Sequence, residues 1–404
     1  MASPSARNIG FDWLRVAACL GVVLLHACIP FLKTPLPGLA WPVNDQHSPI
    51  VETIFWAIQG TIMPLFFCMS GYWASVSMQK AGANQFLKTR FTKVLFPLFI
   101  AMVLVLPIDL YVWLIGWVIE GRYGWEKLRS LKVSDADRET LFGMAHLWYL
   151  QVLFVYGILL GVWGKLCEWL QFNSNHLTAK FWSRLYLGFM LPTVIYSFFI
   201  LAWEPRITLG FLHGWLPPIA SMAYYFPHFL LGVLIAKSDA RYLPSWDISI
   251  LLLLMAIPTG YNVCYQAPEY LLGHTLPPKD NPYTRVLLAI SFYAFTFTQG
   301  VMILIRKMNI APEQKPTPLS HWISDLAIST MIIYLIHHPI VGALQIAFKQ
   351  TALPPLVKVL LITLMAFSLS YGIDRGIIRR TPLGRWLKGI WNSPAKPATS
   401  NGVT

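Results

Sequence analysis

Long apolar segments separated by short polar connections run along most of the chain. About ten of them reach the ~20 residues that an α-helix needs to cross a bilayer. They are residues 11–31, 53–77, 94–118, 146–169, 184–203, 219–236, 247–265, 285–305, 326–347 and 356–374. Segment 219–236 lies beside several prolines, so its boundaries are the hardest to place. The pattern predicts an all-α integral membrane protein with about ten transmembrane helices around a central cavity.

The apolar segments divide the chain into three parts. Residues 1–8 form a short N-terminus, residues 9–380 the transmembrane domain, and residues 381–404 a tail that contains many Asn, Ser, Pro, Ala and Gly residues after Trp391. A tail of this composition is typical of disorder. The long connection 119–145 mixes acidic and basic residues, and we expect a small helical excursion there. No internal repeat is visible, which argues against a transporter built from inverted repeats.

Three ionisable residues interrupt the first apolar segment. Asp12 and Arg15 are three residues apart and could form an ion pair on one helix face. His26 follows Arg15 by almost three helical turns, so it projects from the same face about 16 Å further along the axis. Ionisable groups aligned inside a bilayer usually face protein or a wet cavity. Arg15 alone could be a topology signal, but the row favours a membrane enzyme or transporter over a passive anchor.

Composition supports the membrane assignment. The 404 residues are 56% hydrophobic and 12% charged, whereas soluble domains carry roughly a quarter charged residues. The net charge of +13 is spread over many connections, so the expected partner is a lipid bilayer with anionic headgroups and not nucleic acid. The five cysteines show no CxxC spacing, which predicts neither a disulfide framework nor a metal site.

The basic residues also predict an orientation. Nineteen of them lie in the N-terminus, in alternate connections and in the C-terminal tail, and eleven lie in the remaining connections. Cytoplasmic loops carry the excess of Lys and Arg, so both termini are predicted to be cytoplasmic. Arg15 then lies toward the cytoplasm and His26 toward the outer face.

A second polar site interrupts the ninth apolar segment at His337-His338-Pro339. Adjacent helical residues project about 100° apart, so the two imidazoles are expected to do different jobs. Pro339 has no amide hydrogen, which leaves the carbonyl of Leu335 without its helical partner and predicts a kink. Such a site inside a bilayer is tolerated where it is buried in protein or lines a cavity. The alternative is a structural kink beside hydrogen-bonded core histidines.

Two further motifs have both a structural and a functional interpretation. His146-Leu147-Trp148-Tyr149-Leu150 could belong to an interfacial aromatic belt or could bind a sugar, since aromatic faces pack on pyranose rings. Ser70-Gly71 is expected to let two helices approach closely. Its flanking residues do not supply the GxSxG elbow that a nucleophilic serine would need.

A compact basic cluster, Lys88, Arg90 and Lys93, precedes the third apolar segment. It could be a topology signal, or it could bind the phosphates of a cytosolic ligand. No glycine-rich phosphate loop accompanies it, so a nucleotide-driven motor is not supported.

With these motifs in order, the chain resembles the acyltransferase-3 family over residues 8–380. The matching features are Asp12-x-x-Arg15, His26, Ser70-Gly71-Tyr72 and the basic motif before Pro97. The family usually has Arg-x-x-Arg at the basic motif, and Lys93 replaces the second Arg here. Three segments look most like the branch that succinylates osmoregulated periplasmic glucans, the glucan biosynthesis protein C branch. They are residues 146–150, 225–232 and 334–339.

The resemblance implies an O-acyltransferase in several passes of the bacterial inner membrane. Such a protein takes a succinyl or acetyl group from cytosolic acyl-CoA and transfers it to a hydroxyl of a glycan on the periplasmic side. Acyl-CoA and the glycan are then the expected partners, and no permanently bound cofactor is expected. Two alternatives are a transporter that uses intramembrane Arg and His as a proton relay and an inert scaffold.

The resemblance also implies roles for individual residues. Arg15, Arg90 and Lys93 would bind the donor's phosphates, with Asp12 as the structural partner of Arg15. His26 is the preferred general base, and one of His337 and His338 would position the thioester or stabilise its oxyanion. The predicted acceptor-binding residues are His146, Trp148 and His228.

Overall fold

The computed structural model describes residues 9–171, 177–209, 214–272, 282–308, 317–382 and 384. These residues form thirteen α-helices, joined by a few 3₁₀ turns and one π-helical turn, and contain no strand. The helices are α1 (Ile9–Cys28), α2 (Pro49–Gln59), α3 (Ile62–Arg90), α4 (Phe96–Ile119), α5 (Lys127–Ser130), α6 (Asp135–Leu141), α7 (Trp148–Trp169), α8 (Ala179–Trp203), α9 (Ile219–Lys237), α10 (Trp246–Leu272), α11 (Pro282–Met308), α12 (Pro318–Phe348) and α13 (Pro355–Gly376). The all-α prediction is confirmed. The predictions for residues 1–8 and for the tail beyond residue 384 lie outside the described residues.

Nine stretches of the described chain are long and apolar enough to cross a membrane. One of them, Pro49–Ile119, has 71 residues, which would make a single helix about three and a half times as long as the hydrocarbon core is thick. Gly82 breaks this stretch with a positive φ of 74°, a conformation that costs glycine little. The stretch therefore holds two spans, one on each side of Gly82, and the count agrees with the predicted ten.

The predicted boundaries of the second span, 53–77, are wrong. The structure divides this segment between α2, which ends at Gln59, and α3, which begins at Ile62. Thr61 lies between them outside the helical region, and its hydroxyl bonds to the carbonyls of Ala57 and Ile58 at the end of α2. Only Gln59, Gly60 and Thr61 interrupt the apolar pattern here, and so short a polar stretch does not identify a helix end inside a long apolar run.

Helices α1 and α12 run parallel and form one wall of the bundle. Asp12 accepts a hydrogen bond from Ser324 (2.9 Å) and Arg15 donates one to Thr330 (3.3 Å). At the other end of α1, the backbone carbonyl of His26 accepts a hydrogen bond from Gln345 (2.9 Å). Contacts therefore advance in the same direction along both helices. We call the side where α1 begins the proximal side and the side where it ends the distal side.

The connection 119–145 folds into the expected helical excursion on the distal side. It contains α5 and α6, and the Ser134 hydroxyl caps α6 by accepting from the amide of Asp137. Asp137 is buried, forms an ion pair with Arg122 and accepts a hydrogen bond from Tyr123 (2.5 Å). These contacts close the excursion on itself, so that it covers one end of the bundle.

Two glycines allow α3 and α9 to touch backbone to backbone. A Cβ on Gly71 would lie 1.9 Å from the carbonyl oxygen of Phe229, and one on Gly232 would lie 1.9 Å from that of Cys68. No side chain fits at such distances without moving a helix. The packing role expected for Ser70-Gly71 is confirmed.

Candidate active site

A cavity lies in the distal half of the bundle, beneath the excursion and the loop that follows α1. Its lining includes the ionisable side chains of His26, Asp109, His146 and His338, and indole rings form part of its wall. The indoles belong to Trp41, Trp113 and Trp148. Four helices or turns that are distant in sequence therefore bring ionisable groups to one enclosed space. This is the arrangement expected of a functional site inside a bilayer.

His26 reaches this cavity from the last turn of α1. Its ring is partly exposed and lies parallel to the indole of Trp41, with ring centroids 5.9 Å apart. Its Nδ1 is buried and has no hydrogen-bond partner among the described residues. Gln345 links His26 to Trp41, because its side-chain amide donates to the His26 backbone carbonyl and accepts from the Trp41 indole (2.8 Å). His26 is therefore held through its backbone and its ring face, while its ring nitrogens keep their capacity for proton transfer.

His338 faces a buried carboxylate. Its Nδ1 lies 2.8 and 2.9 Å from the two oxygens of Asp109, and both residues are buried. The ring also stacks on Trp113, with centroids 4.6 Å apart and planes 13° apart. Among the described residues, His338 is the ion-pairing partner of Asp109, with no Lys or Arg beside it. A carboxylate buried in this way favours positive charge at the position of His338.

His146 is held by α12 at the point where Pro339 interrupts the helical hydrogen bonds. Its Nε2 donates to the carbonyl of Leu335 (3.0 Å), which is the carbonyl that Pro339 leaves without an amide partner. The Tyr334 hydroxyl donates in turn to the backbone carbonyl of His146. The proline therefore acts as predicted on its carbonyl, although α12 continues through it as one helix. His146 keeps a buried Nδ1 without a partner in the described chain.

His337 is not one of the residues that line the cavity and is fully buried. Its Nδ1 donates to the carbonyl of Tyr334 (2.8 Å), one turn earlier, and its Nε2 has no partner among the described residues. The two adjacent histidines thus differ in environment, as their angular separation predicts. Of the two, it is His338 that lines the cavity.

The four rings of His26, His146, His337 and His338 form one group, which we call the histidine cluster. His26 lies 5.3 Å from His337 and 4.9 Å from His338, and His146 lies 5.3 and 4.6 Å from the same two rings. The sequence placed His26 toward the outer face and did not relate its depth to that of His337 and His338. The structure places all three at one level. One donor atom each from Asp109, His146 and His338 also lies within 4.8 Å of the others, so these three could hold a metal ion that the cysteine spacing gave no reason to expect.

Arg15 lies on the proximal side of this cavity and is not one of its lining residues. It donates to Thr330 and lies close enough to Tyr149 for its charge to act on that hydroxyl. Tyr149 lines the cavity and bonds to Ser70 (2.5 Å). Asp12, predicted as the partner of Arg15, is buried and accepts from Ser324. A line of polar groups therefore connects Arg15 with the histidine cluster.

Arg90 and Lys93 stay close together at the π-helical turn between α3 and α4. Their charges lie within range of each other, and the Arg90 guanidinium packs over the Phe86 ring at 4.6 Å. The stem of Arg90 fills the space beside Gly157 on α7, where a Cβ would lie 2.7 Å from it. The buried Nε of Arg90 has no partner in the described chain. Arg90 is thus fixed by packing, with donor capacity in reserve.

The predicted acceptor-binding residues separate in space. His146 and Trp148 line the cavity, whereas His228 does not. His228 is fully buried on α9, near Tyr224, and neither ring nitrogen has a partner in the described residues. Its role in acceptor binding remains a prediction, and its position gives that prediction no support.

Sequence reasoning missed Asp109, Trp41, Trp113 and Gln345. Asp109 could have been found, because it is a lone carboxylate inside the third apolar segment, and such residues are functional candidates by default. Trp41 and Trp113 look like ordinary interfacial aromatics. Gln345 carries no signal of its own, since its importance depends on two partners about 300 residues away in the chain.

The chain matches the acyltransferase-3 family, described as an acyltransferase domain, over residues 8–375. Because this match covers most of the chain, the protein belongs to that family. It is a multi-pass membrane protein and an acyltransferase of the O-acyltransferase type. Family membership decides for the enzyme over the transporter and the scaffold. No curated protein and no solved structure shows significant similarity to the chain.

Proposed function

We propose that this enzyme transfers an acyl group from cytosolic acyl-CoA to a hydroxyl of a glycan on the periplasmic side of the bacterial inner membrane. The observation that carries the proposal is the polar line from Arg15 through Tyr149 to the histidine cluster. Its two ends suit two substrates. A cationic proximal end attracts a polyanionic thioester, and an imidazole-rich distal end can activate a hydroxyl.

The donor end rests on three cations. Arg15, Arg90 and Lys93 offer fork-shaped and point-like positive charges, which suit the phosphates of coenzyme A. The pantetheine arm would extend past Tyr149 into the cavity and bring the thioester to the histidine cluster. Acyl-CoA is then a substrate and not a bound cofactor.

His26 serves as general base in this proposal. It takes the proton of the acceptor hydroxyl as the hydroxyl oxygen attacks the thioester carbonyl. The carbon–sulfur bond then breaks, and the proton leaves with the coenzyme A thiolate. His26 suits this task because its ring borders the cavity and its Nδ1 has no competing partner in the described chain.

The Asp109–His338 pair supplies positive charge next to the base. Its imidazole lies 4.9 Å from that of His26, on the same cavity wall. A thioester oxygen gains negative charge during attack, so positive charge at this distance stabilises the transition state. The indoles of Trp41 and Trp148 line the remaining space, and such faces suit a pyranose ring.

The acceptor in this proposal is a glycan such as osmoregulated periplasmic glucan, and the acyl group is succinyl or acetyl. The test uses purified protein in lipid nanodiscs with succinyl-CoA or acetyl-CoA and a glucan oligosaccharide. Mass spectrometry should find a mass increase of one acyl group on the glucan, and His26→Gln should abolish it. Acyl-CoA consumption without any acylated glycan would exclude this acceptor class, and no consumption with either donor would exclude acyl-CoA.

The orientation of the reaction needs its own test. Reporter fusions after Ala136 should report the periplasmic side, and fusions at Lys88 or Asn392 the cytoplasmic side. A periplasmic signal at Asn392 would place the donor end on the wrong side and overturn the transmembrane direction of transfer.

A further inference from the structure

We propose that Asp109, His146 and His338 form a binding site for one divalent transition-metal cation, of which Zn²⁺ is the best match. One donor atom from each residue lies within 4.8 Å of the other two, and all three residues are buried. Two imidazoles and a carboxylate are the donor set of a common class of catalytic zinc site. Calcium and magnesium prefer oxygen ligands and do not suit this set.

The contact between Asp109 and His338 has a shape that a cation fits. The Nδ1 of His338 lies almost equally far from both carboxylate oxygens, at 2.8 and 2.9 Å. Two ligands that each lie ~2.1 Å from one zinc ion at the tetrahedral angle are roughly 3.4 Å apart. A cation can therefore replace the proton between these two groups if the two side chains separate by roughly half an ångström.

His146 supplies the third ligand and already has the support that such ligands need. Its Nε2 donates to the carbonyl of Leu335, and its Nδ1 is buried with no partner in the described chain. Metal-bound imidazoles typically donate their other ring nitrogen to a carbonyl or carboxylate, which fixes the ring orientation. A buried ring nitrogen without a partner is costly, and a cation removes that cost.

Electrostatics favours the same occupant. No Lys or Arg forms an ion pair with Asp109 within the described residues, so the buried carboxylate needs a positive charge from elsewhere. A proton shared with His338 is the competing solution, and it leaves His146 Nδ1 without a partner. A divalent cation satisfies all three side chains at once.

The binding site does not depend on the proposed function, but its use does. The cavity side of the cation would offer a position to the thioester oxygen, where a Lewis acid polarises the carbonyl. His26 is not among the proposed ligands and would remain the base. The positive charge beside His26 would then be the metal ion itself.

The experiment is a metal-binding measurement on the full chain, purified with an affinity tag that contains no histidine. After dialysis against EDTA, the protein is titrated with Co²⁺, a spectroscopic substitute for Zn²⁺, and bound metal is counted by mass spectrometry. We expect one cation per chain and visible d–d bands typical of mixed nitrogen and oxygen ligands. Absence of stoichiometric binding to the wild-type protein overturns the proposal, whatever the variants do.

Variants locate the site. Asp109→Asn and His146→Gln should each weaken Co²⁺ binding by more than the ~10–100-fold that the loss of an outer-shell partner costs. His321→Gln, at an exposed histidine on the same α12, should bind normally. Unchanged binding in both site variants would show that the cation lies elsewhere, which also overturns the proposal. Each variant is first checked for native helical content and a single size-exclusion peak.

His26→Gln separates this proposal from the proposed function. It should lose acyl transfer but keep the cation and its spectrum. If metal-free wild-type protein transfers the acyl group and added Zn²⁺ does not increase the rate, the catalytic use of the cation is refuted. Normal metal binding without any transfer to glycan would refute only the proposed reaction.

Discussion

The two ends of α1 place ionisable side chains in opposite situations. At the proximal end, Arg15 and Asp12 are tied to hydroxyl groups of α12. At the distal end, His26, His146 and His337 each keep a buried ring nitrogen without a partner in the described residues. Charged side chains held by hydrogen bonds suit a site that must hold a ligand of fixed charge. Ring nitrogens that have no hydrogen-bond partner in the described residues suit a site that must move protons or bind cations. Under the proposed function, the proximal end binds the donor and the distal end carries out the chemistry.

The largest expected effect is at the distal end. His26→Gln keeps the polarity and approximate size of the side chain but cannot take a proton at neutral pH. General base catalysis commonly contributes ~10²–10⁴-fold, so transfer should fall by that factor while acyl-CoA binding stays normal. Single-turnover kinetics with a directly measured donor affinity would check both parts, with His321→Gln as the matched control. Near-normal turnover would make His26 a structural contact.

Asp109→Asn should have the next largest effect. The substitution removes the negative charge of Asp109, which favours positive charge at His338 beside the thioester oxygen. Losing one such stabilising group costs about 10²-fold or more in rate. The loss should appear in the turnover rate and not in donor affinity. Asp109→Glu, which keeps the charge, should recover part of the activity. Equal losses in the Asn and Glu variants would indicate that Asp109 matters for packing alone.

Arg15→Ala should affect donor affinity and not the turnover rate. A hydrogen bond to a charged group contributes about 1.5–3 kcal/mol, so coenzyme A affinity should fall roughly tenfold or more. The difference from wild type should shrink as salt increases, because the attraction is screened. Calorimetric titration at two ionic strengths would measure it, with Lys165→Ala as the control, since Lys165 is exposed and paired with Glu168. Unchanged affinity would contradict the proposal that the proximal end binds the donor.

The smallest effect on chemistry should come from Gly71→Ala, which tests the scaffold that both ends share. The new methyl group would meet the backbone of Phe229, and such overpacking costs roughly 1–3 kcal/mol of stability. Activity per folded molecule should change little. Gly372→Ala is the matched control, because nothing lies within 4 Å of its added Cβ. Equal thermal stability of the two variants would contradict the close packing of α3 and α9.

The sequence predicted most of the fold, because transmembrane helices can be recognised by the length and hydropathy of their apolar segments. It also indicated His26, His146 and His338, since ionisable groups are rare inside apolar segments. It did not show that one helix ends and another begins at Thr61, because the polar stretch of Gln59, Gly60 and Thr61 is too short to identify a helix end inside an apolar run. It could not pair Asp109 with His338, because 229 residues separate them and neither carries a signal for the other. Local patterns identify candidate residues, and only the packing of helices decides which of them meet.

The hydrogen bond from His146 to the carbonyl of Leu335 couples two positions in the sequence, residue 146 and residue 339. A carbonyl can only accept, so the Leu335 oxygen fixes the tautomer of His146 with the proton on Nε2. That oxygen is available because residue 339 is a proline. Any other residue at 339 would bring an amide hydrogen that competes for the same oxygen. Substitutions at 146 and 339 should therefore show non-additivity, because the residue at 339 decides whether His146 shares the Leu335 oxygen with a backbone amide.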